Sequence, residues 1–344
     1  MARSYSLDPL TAEECARWDG LISGCPKREL FHRGPWLNYL RESRGVTIGR
    51  WLINEGNVTV GYFCGGLLRK GPFRILGSPL KSWGSNFMGP IPSGELDLRS
   101  FLMAVDELAE REQLAMSEME HRDFTDPVMK EARYEAVPGW TYLVSLAKDP
   151  EVMWGALDAT CRNRIRKAMR IGLRVEDTAD PVVADEFYDQ YCNLLHHKGL
   201  GPPYPRAYPR ALLRHLKPAG MLLALRVSDP DGRILATGLF PHDEHTIYFW
   251  GGASWHAGRD LCPNEILHWT AMRTAAELGL SCYDMCGYGR FKRKFGGALV
   301  ELQRWHKCYW RSAKWARRGY EIYFQKKRRI QGWWRRLNAA ERED

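Results

Sequence analysis

The residues best equipped for chemistry stand together in one short run, Phe291-Lys292-Arg293-Lys294-Phe295-Gly296-Gly297. An aromatic ring sits beside a lysine, two further cations follow, and two glycines turn the chain. A flat ring can stack on a base, and a fixed cation can hold a phosphate or a developing oxyanion. The run follows Cys282-Tyr283-Asp284-Met285-Cys286 across the loop Gly287-Tyr288-Gly289-Arg290. That stretch reads as a buried strand, and strand ends are where open α/β sheets present their ligands. Lys292 is therefore the candidate catalytic residue, and Asp284 a candidate cleft-lining carboxylate whose role is open. Phe291, Arg293 and Lys294 are candidates for holding a donor. Asn264 and His268, one turn apart on the preceding helix, are candidates to face the same cleft. A solvated basic turn is the alternative reading of the run.

Two similar halves must position these groups. Ile48–Ile53 and Val58–Leu67 flank the turn Asn54-Glu55-Gly56-Asn57, while Met221–Val227 and Ile234–Phe240 flank Ser228-Asp229-Pro230-Asp231-Gly232. Both turns carry hairpin chemistry. Each hairpin is followed by an amphipathic helix and a further strand. The first helix runs near Leu98–Leu114, with Phe101, Leu102, Val105, Leu108 and Ala109 at helical spacing. The second opens at Pro263, a favoured first-turn residue, and stops at Gly279. The strands that follow are Ala115–Glu120, which carries Glu118 and Glu120, and Cys282–Cys286. The expected organisation is α/β, with mixed sheets in domains at 1–150 and 151–310 and a basic C-terminal helix at 311–344. The junction near Asp149–Arg174 places Arg162, Arg164, Arg166, Lys167, Arg170 and Arg174 on a helix.

Charge separates the body from the tail. Residues 304–344 hold 13 Lys and Arg against 4 Asp and Glu, and so carry the whole net charge of +9. Trp305, Trp310, Trp315, Trp333 and Trp334 lie in the same segment. On a helical wheel Trp315, Ile322, Tyr323, Ile330, Trp333, Trp334 and Leu337 share one side. Arg317, Arg318, Arg328, Arg329, Arg335 and Arg336 fall mostly on the other. Such a segment suits a polyanionic partner, either RNA or an anionic membrane surface. A packed helix with a solvated basic face is the alternative. The nine cysteines form no CxxC pair, which gives no zinc or thioredoxin-type signature. Met1 to Asp8 lacks an apolar core of signal-peptide type, and no apolar run approaches the roughly 20 residues that span a bilayer. A cytoplasmic protein is expected, with peripheral contact at the inner membrane face as the further option.

Several of these segments together resemble one family. Arg164-Ile165-Arg166-Lys167-Ala168 followed by Gly172-Leu173-Arg174-Val175 is similar to a signature of Fem-like proteins, as is Tyr283-Asp284-Met285-Cys286-Gly287 with Phe291 to Gly297. Phe31 to Leu40, with Pro35-Trp36, is similar too. The family comprises the Fem peptidoglycan bridge-forming aminoacyltransferases and a wider tandem acetyltransferase-fold (GNAT) set. The resemblance implies two tandem GNAT-like N-acyltransferase domains and transfer of an acyl group to an amine without a metal. It implies that Phe291 and Lys292 lie where the terminal adenosine and ester of aminoacyl-tRNA dock. It makes Arg164, Arg166, Lys167, Tyr204 and Trp36 candidates for holding the acceptor, an amine on a peptide or cell-envelope precursor.

The sequence also departs from the family pattern. Gly201-Pro202-Pro203-Tyr204-Pro205-Arg206-Ala207-Tyr208 surrounds the expected arginine with tyrosine and proline, and Arg41 falls only near an expected lysine. Acetyltransferases of this fold hold the coenzyme A pyrophosphate on a glycine-paired loop at a helix N-terminus. The corresponding segment, Gly258-Arg259-Asp260-Leu261-Cys262-Pro263-Asn264-Glu265, lacks paired glycines, and Pro263 removes one donor. Aminoacyl-tRNA is thus the expected cosubstrate and no cofactor is expected. An acyl-CoA-dependent N-acyltransferase of a sugar amine or metabolite and a non-catalytic RNA- or membrane-binding protein are the alternatives.

Overall fold

The computed structural model describes residues 4–319 and 322–323. The chain forms two compact units. The first comprises Met1–Gly139 and Leu302–Gly319, and the second includes Trp140–Glu301. The strands Glu135–Ser145 and Ala298–Cys308 carry the chain from one to the other. The first unit therefore ends earlier than position 150, and residues 302–319 return to it instead of closing the second.

In the first unit the strands run in the order Tyr5–Pro9, Thr47–Glu55, Val58–Lys70, Phe73–Ser78, Met116–Glu120, and then residues 304–308. Neighbours pair antiparallel except Phe73–Ser78 with Met116–Glu120, which is the parallel step expected across a helical crossover. The crossover helix, Leu98–Arg111, starts where the Asp97 carboxylate accepts the Ser100 amide at 3.1 Å. Its buried Phe101, Leu102, Val105, Leu108 and Ala109 are the residues whose spacing announced it. They pack with Trp51, Phe63, Met119 and Trp305 in one core.

In the second unit an antiparallel sheet runs Gly251–Ser254, Ile234–Pro241, Leu222–Ser228, Arg174–Asp177. A second group joins residues 143–145 to Cys282–Asp284, which pairs in parallel with Thr246–Tyr248. One extended segment, 246–254, thus belongs to two sheets and changes allegiance at Phe249-Trp250. Helix Pro263–Glu277 covers one face of the four-stranded sheet, since a Cβ on Gly238 would meet Leu267. Helix Val182–His197 covers the other, since a Cβ on Gly251 would meet Phe187. Helix Ala159–Ile171 is capped by Asp158, which accepts the Cys161 amide at 2.7 Å, and ends at Gly172 with φ +81°. It buries Cys161, Ile165 and Ala168, so Arg164, Arg166, Lys167 and Arg170 fall on its exposed side.

The basic tail is described only in part. Residues 311–319 are helical. Trp315 is exposed there, but Arg317 and Lys314 are paired with Glu118 and Glu135, both at short distance (2.6 and 2.5 Å). The remainder of the expected amphipathic helix, including Ile330, Trp333, Trp334, Leu337, Arg328, Arg329, Arg335 and Arg336, lies outside the described residues. No helix among the described residues is long and apolar enough to cross a membrane.

Candidate functional site

Strand Cys282–Asp284 ends two residues before the sequence pattern suggested, because the backbone turns left-handed at Cys286 (φ +50°) and stays at positive φ through Gly287. Asp284 shapes that turn. Its Oδ1 accepts from the Thr141 hydroxyl at 2.5 Å and from the Cys286 amide at 2.7 Å. The Thr141 oxygen in turn accepts from the Gly287 amide at 3.0 Å. Asp284 is fully buried, so it lies beneath the loop instead of lining an open cleft. An unpaired carboxylate at that depth would be costly, and the two donors on Oδ1 offset part of that cost.

The turn aims two carbonyls at the lysine. Lys292, on the short helix Arg290–Arg293, donates from Nζ to the Met285 carbonyl at 2.6 Å and to the Cys286 carbonyl at 3.1 Å. An ammonium has three protons, so one N–H stays uncommitted among the described residues. The Phe249 ring lies 5.3 Å from Nζ, which puts the lysine where segment 246–254 divides between its two sheets. Burial lowers the Lys292 pKa from its usual range, with Cys286 and Asp284 acting in the opposite direction. A partly desolvated cation interacts more strongly with a nearby negative charge than one in bulk water.

Phe291 stands on a charged pedestal. Its ring is 37% exposed and packs on His268 and Phe295, and the Lys294 ammonium sits 4.0 Å from its centre. Lys294 is buried and donates to Glu265 Oε1 at 2.5 Å, an oxygen that also accepts from Arg164 at 3.1 Å. Lys294 therefore supports the ring from inside, and Arg293 is the cation left on the surface. His268 is buried among Phe240, Phe249, Phe291 and Phe295, with Nδ1 2.6 Å from the Tyr283 hydroxyl. Burial first, then Lys292 and Lys294, hold its pKa well below the usual imidazole range. It is a neutral packing residue under the platform. Asn264 binds Ser254 Oγ at 2.8 Å.

The acceptor candidates do not all converge. Arg164 reaches Glu265, while Arg166 lies over the Trp154 ring and bonds Asn163, and Lys167 is exposed on the same helix. Tyr204 belongs to a column of near-parallel rings, Phe187, Tyr191, Tyr204 and Tyr208, with Trp250 against Tyr204 at 5.6 Å. Arg206 is spent on Asp185 and Asp189. Trp36 has no exposed surface; it bonds Ser85 at 2.9 Å and packs on Phe31 and Tyr39 in the interior of the first unit. Glu118 and Glu120 are buried in an ion network with Arg304 and Arg317. No group of three or more His, Cys, Asp or Glu able to hold a metal occurs among the described residues.

Sequence reasoning missed Thr141 and Glu265. A threonine in a strand carries no signal of its own. Glu265 did carry one: it is the single carboxylate in the first turn of a helix that is apolar on nearly every side.

Residues 157–294, which span this loop and both helices beside it, match the family model described as Acetyltransferase (GNAT) domain. Fold and site thus define a GNAT-fold protein, and the match supports an acyltransferase. A comparison with curated proteins gives no match. Among solved structures the chain is similar to FemX, at 14% identity and a TM-score of 0.66, over 86% of this chain and 96% of that one. It is similar to the C-terminal domain of a putative lysylphosphatidylglycerol synthetase from Agrobacterium fabrum (16%, TM-score 0.57, 86% and 92% covered). It is also similar to a tandem GNAT protein from the clavulanic acid biosynthesis pathway (10%, TM-score 0.56, 89% and 98% covered). The chain has the fold of the Fem-like, tandem GNAT superfamily.

Proposed function

We propose that this protein transfers an aminoacyl group from aminoacyl-tRNA to an amine of a peptide or cell-envelope precursor. The observation that carries the reading is the Lys292 ammonium, anchored by two loop carbonyls with one N–H left over, beside a partly exposed Phe291 ring. Aminolysis of an ester adds the amine to the carbonyl carbon and puts negative charge on the carbonyl oxygen. A Lys292 N–H stabilises that oxyanion, which collapses to the amide as the proton shed by the amine nitrogen passes to the departing ribose oxygen. Such a preorganised donor contributes a factor of roughly 10² to 10³. Phe291 stacks on the terminal base and so brings the ester to Lys292. Asp284 and Thr141 position the lysine through the turn they pin, and Asp284 takes no proton.

The loop before helix Pro263–Glu277 favours this donor over acyl-CoA. Its Gly258 and Cys262 amides are used in local turns, to the Trp255 and Arg259 carbonyls, and Pro263 has none to offer. FemX and the lysylphosphatidylglycerol synthetase domain, as similar folds, support aminoacyl chemistry; the tandem GNAT protein keeps the acyl-CoA alternative in view. The test offers the full chain labelled aminoacyl-tRNA and labelled acyl-CoA separately, each with an amine acceptor. Amide formation from the charged tRNA alone is expected. Amide formation from acyl-CoA alone overturns the assignment.

A further inference from the structure

A second part of the same unit forms a cavity. A cavity of about 450 Å³ opens where the C-terminal end of helix Val182–His197 meets the start of strand Ile234–Pro241 and the turn His256–Leu261. That volume lies within the range of small-molecule sites. Asn193, His197, Arg233, Trp255 and His256 line it, over a floor that includes Leu235. The site is separate from the Lys292 loop: Trp255 follows Phe249 by six residues of mostly extended chain, on the order of 20 Å.

The lining has one chemical character. The imidazoles of His197 and His256 stack with centres 4.1 Å apart and planes 27° from parallel. Neither ring has a hydrogen-bond partner among the described residues. Asn193 fixes the second histidine by accepting its backbone amide at 3.2 Å. Asp229 fixes Arg233, taking the arginine's backbone amide on one oxygen and Nε on the other, at 2.9 and 3.0 Å. The terminal guanidinium nitrogens have no partner among the described residues, on a side chain that is 69% exposed. Trp255 offers a partly open indole face. Three nitrogen-rich groups held in place, an aromatic face and an apolar floor match one ligand class: a flat heterocycle carrying a phosphate.

We propose that this cavity binds a mononucleotide-type ligand, its phosphate on His197, His256 and Arg233 and its base on Trp255. The site is independent of the acyl-transfer reading. Phosphate binding also couples to protons. Two stacked rings repel when both are charged, and a phosphate between them and Arg233 removes that penalty. Other groups facing the pair are His196 on the same helix and Arg259 on the turn; Asp229 is acidic, and Arg233 occupies both of its oxygens. Burial, then His256, His196 and Arg259, lower the His197 pKa, so binding draws in protons and strengthens as pH falls through the imidazole range.

Calorimetric titration of the full chain with adenosine 5′-monophosphate tests this, with adenosine and inorganic phosphate as separate probes. The nucleotide should bind at least about tenfold more tightly at pH 6 than at pH 8, and more tightly than either fragment. His197→Asn, Arg233→Gln and Trp255→Ala should each weaken it by about tenfold or more at pH 6, with melting temperature unchanged. Phe291→Leu removes the donor platform, which also stacks an adenine; in that background the three cavity substitutions should still weaken the nucleotide by about tenfold or more, which separates this cavity from the platform. Equal binding by the cavity variants in the Phe291→Leu background, or inorganic phosphate binding as tightly as the nucleotide, would each overturn the proposal.

Discussion

Replacing Glu265 by Ala removes the carboxylate that pairs with Lys294 beneath the Phe291 platform. Glu265 and Lys294 side chains are 3% and 10% exposed, and 2.5 Å separates their charged atoms. Removing one partner of a buried ion pair costs about 3–5 kcal/mol, because the other charge is left in low dielectric. In a domain of this size each kcal/mol moves the melting temperature by about 2–4 °C, so a fall of roughly 6–20 °C is expected. Arg164 is the internal control. Its side chain is 51% exposed, and solvent screening limits its share of the network to about 0–1 kcal/mol. Arg164→Ala should therefore melt close to wild type. The double variant Glu265→Leu with Lys294→Met removes both buried charges and should recover most of the loss. Urea denaturation followed by circular dichroism measures all four proteins. A Glu265→Ala protein within about 1 kcal/mol of wild type, or a double variant no better than the single, would refute the assignment of Lys294 as a buried, Glu265-dependent support.

Two further outcomes follow from the same geometry. Phe291→Leu keeps apolar bulk over Lys294 but removes the stacking face, worth about 1–3 kcal/mol per base, so the donor KM should rise about 5- to 150-fold with kcat less affected; an unchanged KM with a lowered melting temperature would make the ring a packing residue only. In the first unit, burial lowers the His32 and His121 pKa values to about 4, against roughly 6.5 in an unfolded chain. The unfolded state then binds more protons between these values, so stability is fully present above about pH 6.5 and is lost as pH falls toward about 4. Thermal melts should be flat from pH 8 to pH 7 and fall below that, and His32→Gln should shallow the acid limb; an identical limb in the variant would contradict the assignment.

Much of the fold was readable because burial writes itself into spacing. The helix expected near Leu98–Leu114, the Pro263 start and both hairpins come from period and turn chemistry, which are local. The strand end at Asp284 was misjudged because Met285 and Cys286 are as apolar as strand residues, and only the side-chain bonds from Thr141 and Asp284 turn the backbone there. The run at 291–297 was legible as a cluster but not in its division of labour. Lys292, Arg293 and Lys294 are equal in sequence. Glu265, 29 positions before Lys294, draws that cation inward and leaves Lys292 to the loop carbonyls. Trp36 could not be told from a surface anchor without seeing Ser85 and Tyr39 around it.

The most direct measurement is the single-turnover rate of amide formation by Lys292→Ala, with aminoacyl-tRNA and amine acceptor both saturating and donor affinity measured in parallel. If the lysine stabilises the oxyanion, the rate falls by roughly 10² to 10³ while donor affinity and melting temperature stay near wild type. A wild-type rate under those conditions would contradict the role assigned to Lys292 and, with it, the site.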